Sequence, residues 1–131
     1  MTTAKYIAAT LVVGAVFAAG VTMGAQQANA TRREPQFQNS EVEVWKSIVM
    51  PNSPLAMHRH EHGRALIALK SGTLDVVDAK GTTMNKLVLQ AGKAYWLDRD
   101  APNTEHADVN KGHEPIEVIV VQLKNDKPVT K

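Results

Sequence analysis

Three of the chain's five histidines fall within five residues, His58, His60 and His62, in the stretch "MHRHEHGRALIALKSG". In an extended strand, residues i and i+2 project to the same side. His58 and His60 therefore share a face, with Arg59 on the other. Two imidazoles at that spacing can reach one metal ion. Neutral imidazole suits Zn, Fe, Ni and Cu, and often Mn. A third ligand must come from elsewhere, and His106 in "TEHADVN" is the natural candidate. The bland reading is a polar lining at the mouth of a barrel, with no ion. His62 shares the alternation but is followed by Gly63, a turn residue. It reads as a further ligand, a group behind the ligands, or an exposed loop histidine, and the last two are favoured. Asp98, Asp100, Glu105 and Asp108 surround His106, as acceptors that orient an imidazole or as the charges of a solvated loop.

The elements that must position these side chains are strands. After "TRREPQFQNS" (31–40), a polar segment with Pro35 that reads as a mobile arm or an edge segment, period-two patterns dominate. "EVEVWKSIVM" alternates, with Val42, Val44, Ile48 and Met50 on one face. "PNSP" breaks the chain, and "LAMHRH" and "RALIALK" follow as extended runs. Ser71-Gly72, Lys80-Gly81, Ala91-Gly92 and Lys111-Gly112 mark turns between "TLDVVDA", "TTMNKLVLQ", "KAYWLD", "EHADVN" and the long β-branched "PIEVIVVQLK". No segment after residue 30 has a helical period with caps. Some eight or nine short strands separated by Gly, Pro and Asn turns imply an all-β fold, a small antiparallel sandwich or barrel.

With the strands in place, the two histidine runs resemble the paired motifs of the cupin superfamily. The first cupin motif is H-x-H, three or four residues, Glu, six residues, Gly. His58 and His60 fill H-x-H, Gly72 fills the closing Gly, and this register puts Ala65 where the family has its Glu. The second motif is a Gly, a Pro-containing turn and H-x-x-x-N, matched by Gly92, Pro102 and His106 to Asn110. The resemblance spans roughly residues 42–124 and implies a cupin-like jelly roll, or double-stranded β-helix. Three features depart from it: Asn52 stands where a Gly opens the first motif, the stretch from Gly92 to His106 is longer than usual, and the Glu ligand is missing. The resemblance then implies a three-histidine metal site, like that of the thiol dioxygenases rather than the oxalate oxidases. The expected cofactor is a divalent transition metal, Fe, Mn, Zn, Ni or Cu. Three neutral ligands leave its charge uncompensated, which favours an anionic or chelating small molecule, with Arg64 as a candidate anion-binding group. The leading expectation is an O2-dependent oxidation. The alternatives are a non-catalytic metal or ligand-binding module, and a metal-free structural barrel whose edge strands, such as 41–50, pair into a homodimer.

Other residues have plainer readings. Asn110 is expected to order the turn after the His106 strand, and His113 to be exposed. Tyr95 and Trp96 are adjacent and so face opposite ways, as core, interface or pocket wall. Met57 and Met84 read as gap fillers of the core or, less naturally, as soft ligands for Cu(I).

Residues 1–30 have the layout of a secretory signal peptide: Lys5, an apolar run over 7–23, and Ala28-Asn29-Ala30 as a cleavage site. The expected domain layout is that leader, a flexible arm over 31–40, the β-barrel over 41–124 and a polar tail over 125–131. The expected product is exported, to a bacterial periplasm or beyond, with no membrane anchor after cleavage. Of the chain's 131 residues, 101 follow the leader, enough for one small core. Lys5 is the leader's only charge, so 14 basic and 13 acidic side chains remain, a net charge of +1. The charges are mixed along the chain and no basic block interleaves with aromatics, so nucleic-acid binding has no support. There is no cysteine, so export is not used to build disulfides.

Overall fold

A computed structural model describes residues 29–127. The proposed leader, apart from Asn29 and Ala30, and the end of the tail, 128–131, lie outside the described residues. The structure holds eight strands: β1 (Arg32–Gln38), β2 (Val42–Val49), β3 (Arg64–Ala68), β4 (Gly72–Val77), β5 (Thr83–Leu89), β6 (Ala94–Leu97), β7 (Ala107–Asn110) and β8 (Ile116–Leu123). All pairings between them are antiparallel. They form a five-stranded sheet in the order β1-β2-β8-β3-β6 and a three-stranded sheet in the order β5-β4-β7. This is the expected all-β jelly roll, built as two sheets that do not close into a continuous barrel. Isolated bridges from Pro51 to Asn110 and from His58 to His106 tie the chain after β2 to the edge of β7. The run "LAMHRH" therefore lies beside β7 without forming a ladder. Pro51 and Pro54 bracket its start, and a proline cannot donate to a ladder.

Inward-facing apolar side chains from both sheets fill the space between them. Trp45, Val49, Leu66, Leu74, Leu89, Val118 and Val120 form the core cluster. The alternation of β8 is as expected for a core strand, with Ile116, Val118 and Val120 buried. In β2 the alternation holds, with Val44 and Ile48 on one face as expected, and it is the other face that enters the core cluster. Trp45 and Val49 join the core, whereas Val44 and Ile48, buried as well, lie on the opposite side of the strand. Both faces of β2 are apolar, so alternation alone did not distinguish them.

Two further expectations change. The segment 31–40 is not a flexible arm: β1 pairs with β2 along its length, with an irregularity between Pro35 and Phe37. Consequently 41–50 offers no free edge for a dimer, since β2 is flanked by β1 and β8. The start of the tail is held too, because Asp126 accepts hydrogen bonds from the Gly63 amide at 2.9 Å and from Arg99 at 2.9 Å. Asn110, 1% exposed, donates to the carbonyls of Val49 and Glu114 and accepts from the Gly112 amide. It orders the turn as expected and also fastens that turn to the end of β2. Asn52 takes a left-handed φ of 52°, a conformation that asparagine tolerates better than most residues. The departure from Gly at this position therefore keeps the backbone geometry that a Gly would give.

Candidate metal centre

His58 and His106 face each other across their bridge, each backbone amide donating to the other's carbonyl at 2.9 Å. This places the two rings 4.5 Å apart between centroids, and His60 lies 4.9 Å from His58 and 5.6 Å from His106. One ring nitrogen from each of the three falls within 4.8 Å of the others. The structure thus brings His58, His60 and His106 together from two regions of the chain nearly fifty residues apart.

The outer nitrogens of the rings explain the convergence. His58 Nδ1 sits 2.7 Å from the carbonyl of Ala56, and His60 Nδ1 sits 3.0 Å from Gln122 Oε1. His106 Nδ1 faces Asp100 Oδ2 at 3.4 Å. Each partner is an oxygen acceptor, which favours the Nδ1–H tautomer and leaves the Nε2 lone pair free. Asp100 has a second tie, accepting the His60 backbone amide at 2.7 Å. Trp45 stacks parallel to the His60 ring at 6.4 Å, an interplanar angle of 4°. The donor set fits a metal. His58 Nε2 is buried with no hydrogen-bond partner among the described residues, a cost to the fold unless something occupies it.

Burial, helped by the nearby Arg64 charge, lowers His60 to about 4. Burial lowers His106 as well, although Asp108 and Asp100 pull the other way. Both rings are thereby kept neutral, the form that binds metal.

The centre opens on a cavity of about 330 Å³ lined in part by His60, His106, Arg33, Arg64, Asp100 and Asp108. Its floor is apolar, with Leu74, Leu87, Val118 and Val120 among the lining residues. Arg64, expected as an anion-binding group, is 7% exposed and donates to the Asp98 carbonyl at 3.1 Å. The register is corrected here: Arg64, not Ala65, is the β3 side chain that lines the cavity, since Ala65 pairs with Val121 and Trp96 and points to the other face.

Other candidates lie outside the histidine cluster, although Asp98, Glu105 and Met84 line the same cavity. His62 lies outside the cluster, its Nδ1 2.6 Å from Asp126 Oδ1. Asp98 takes the Trp96 indole N–H at 2.8 Å, and Glu105 and His113 are exposed. Tyr95 packs on the core while Trp96 is 56% exposed. Met57 and Met84 are 37% and 54% exposed, so neither fills a gap in the core. Three residues escaped the sequence reading. Gln122 was legible in the inward series Ile116, Val118, Val120, Gln122. Asp126 lay in an apparently featureless tail. Arg33, held 5.0 Å over the Trp45 ring, carried no signal, because β1 has no hydrophobic alternation.

No family sequence model matches the chain, and no curated protein does. Solved structures do resemble it. A cupin-domain protein from Bordetella pertussis Tohama I superposes with a TM-score of 0.63 at 19% identity, covering 73% of this chain and 95% of that one. An RmlC-like cupin family protein with a double-stranded β-helix fold from Methanocaldococcus jannaschii gives 0.55 at 14% identity, covering 72% and 81%. A conserved uncharacterized protein with a double-stranded β-helix domain from Klebsiella pneumoniae gives 0.53 at 22% identity, covering 72% and 76%. With its two antiparallel sheets and the order of its strands, the chain has the cupin fold.

Proposed function

We propose that the protein binds one divalent transition metal through Nε2 of His58, His60 and His106 and uses it to oxidise a small anionic substrate with O2. The observation that carries the metal reading is the set of three ring nitrogens within 4.8 Å of one another, on rings whose Nδ1 atoms each meet an oxygen acceptor and so leave Nε2 for the ion. A bound metal supplies Lewis acidity and, as iron, O2 activation. The chain's own residues do the rest. Asp100 and Gln122 fix the rings of His106 and His60. Arg64 and Arg33 offer guanidinium groups to a carboxylate or similar anion, although Asp98, Asp100, Glu105 and Asp108 line the same cavity, and the apolar floor accepts the remainder of a small molecule while limiting water. The leader-like run at the N-terminus supports export of the mature chain.

Oxygen uptake by iron-loaded protein, measured with panels of small thiols and diketones, tests the reaction. Uptake is expected with anionic members and should fall at least tenfold in Arg64→Ala. Metal-loaded protein that consumes no oxygen with any member favours the reading as a binding module. Unchanged turnover of anionic substrates by Arg64→Ala removes that residue from the account.

A further inference from the structure

We propose that Asp108 is a fourth protein ligand of this centre, so that β7 supplies the carboxylate that the first histidine motif lacks. The proposal rests on the three-histidine reading and completes it. Asp108 follows His106 by two residues at the start of β7, so both side chains take the same face of the strand. The site is then two facing pairs, His58-x-His60 and His106-x-Asp108, joined by the His58–His106 bridge.

Distance supports this. Asp108 Oδ2 lies 3.7 Å from His58 Nε2, and Oδ1 lies 4.0 Å from His106 Nε2. These are the same nitrogens that the Nδ1 contacts leave free. With metal–ligand bonds of about 2.0–2.2 Å, neighbouring ligand atoms around one ion stand roughly 3–3.5 Å apart. Both distances exceed that range and Asp108 lies outside the tight group formed by the three histidines, so coordination requires its carboxylate to move towards the ion.

A second observation concerns the surroundings of the carboxylate. The Asp108 side chain is only 17% exposed, yet its carboxylate accepts no hydrogen bond among the described residues, and its ion-pair neighbours there are the two histidines. Without a hydrogen-bond donor, this mostly buried carboxylate is compensated only by residual solvent contact and by the more distant charges of Arg33 and Arg64. Asp100, by contrast, is already held by the His60 amide. Arg33 and Arg64 line the same cavity but neither comes within ion-pair distance of Asp108 among the described residues. A cation beside His58 and His106 satisfies the carboxylate and the orphaned Nε2 atom together. Coordination by Asp108 would place on the ion itself a negative charge that three neutral imidazoles do not supply.

Cobalt(II) is a suitable probe, because its visible d–d spectrum reports the ligand set without any assay of activity. Titrations compare the natural sequence with Asp108→Asn, Asp108→Glu and His58→Ala/His60→Ala, after circular dichroism of the metal-free proteins establishes that each is folded. Asp108→Asn is expected to bind at least tenfold more weakly with a changed d–d spectrum, while Asp108→Glu keeps a carboxylate and recovers most of the affinity. Wild-type affinity and an unchanged spectrum in Asp108→Asn overturn the assignment, and with binding lost in the double histidine variant the three-histidine reading still stands. Equal cobalt binding by the double histidine variant and the natural sequence overturns the three-histidine reading and the Asp108 proposal with it. Should Asp108→Asn not fold, Asp108→Ser is titrated in its place, and wild-type affinity with an unchanged d–d spectrum there overturns the proposal as well.

Discussion

Burial and the Arg64 charge hold the His60 imidazole neutral down to about pH 4, and burial holds His106 below its usual value too. In the unfolded chain both titrate near the ordinary value of about 6.5. Between those limits the unfolded state binds more protons, so acidification favours unfolding. The thermal midpoint of the metal-free protein should therefore be level above about pH 7 and decline as pH falls from about 6.5 towards 4. A midpoint that stays level across that window contradicts the neutral, buried placement of the two rings. Gln122 is tested differently. It is the acceptor for His60 Nδ1, and loss of such a partner typically costs 10–100-fold in metal affinity. Gln122→Ala should weaken metal binding by about that factor, read by competition titration against a chelating dye. At this scale the histidines were legible because strand alternation fixes which side chains converge. The same rule, applied from His106, makes Asp108 legible, whereas Arg33 belongs to a strand with no pattern to read.

The turn between the histidine run and β3 depends on a close contact. A Cβ at Gly63 would lie 2.5 Å from Cζ2 and 2.9 Å from Cη2 of Trp96. Gly63→Ala must displace the indole, and strain of this kind costs about 1–3 kcal/mol. For a domain of about 100 residues, each kcal/mol lowers the melting temperature by roughly 4–8 °C. Trp96→Ala in the Gly63→Ala background removes the clash, so the two losses should be less than additive in a double-mutant cycle. Additive losses would show that the contact is not what excludes a side chain there. The sequence indicated a turn at Gly63 but not its partner, since Trp96 reaches it through the β3–β6 pairing. Strand number and order of punctuation were legible from the Gly, Pro and Asn turns. Which face of β2 is inward was not, because Val44 and Ile48 are as apolar as Trp45 and Val49. The pairing of β1 was hidden by its polar composition.

At the scale of the whole molecule, a metal held by the three histidines would couple the two sheets. Its ligands come from the chain leading into β3 of the larger sheet and from the start of β7 in the smaller one. An ion that binds only the folded state stabilises by mass action, about 2.7 kcal/mol at a hundredfold excess over Kd. Saturating metal should raise the melting temperature by roughly 10–20 °C, and a chelator should reverse the change. No change in either direction would mean that the ion does not bind the folded domain. The fold was legible as a jelly roll because two distant motifs agreed with the strand order. The three-dimensional meeting of those motifs was legible only through the family resemblance, since nothing local to His106 names His58 as its neighbour. The most direct test of the account is the metal content of purified protein by elemental analysis, beside His58→Ala/His60→Ala prepared identically. Close to one equivalent of a transition metal per chain, lost in the variant, is the predicted result. Equal metal in both, or none in the natural protein even after reconstitution, would contradict the three-histidine centre.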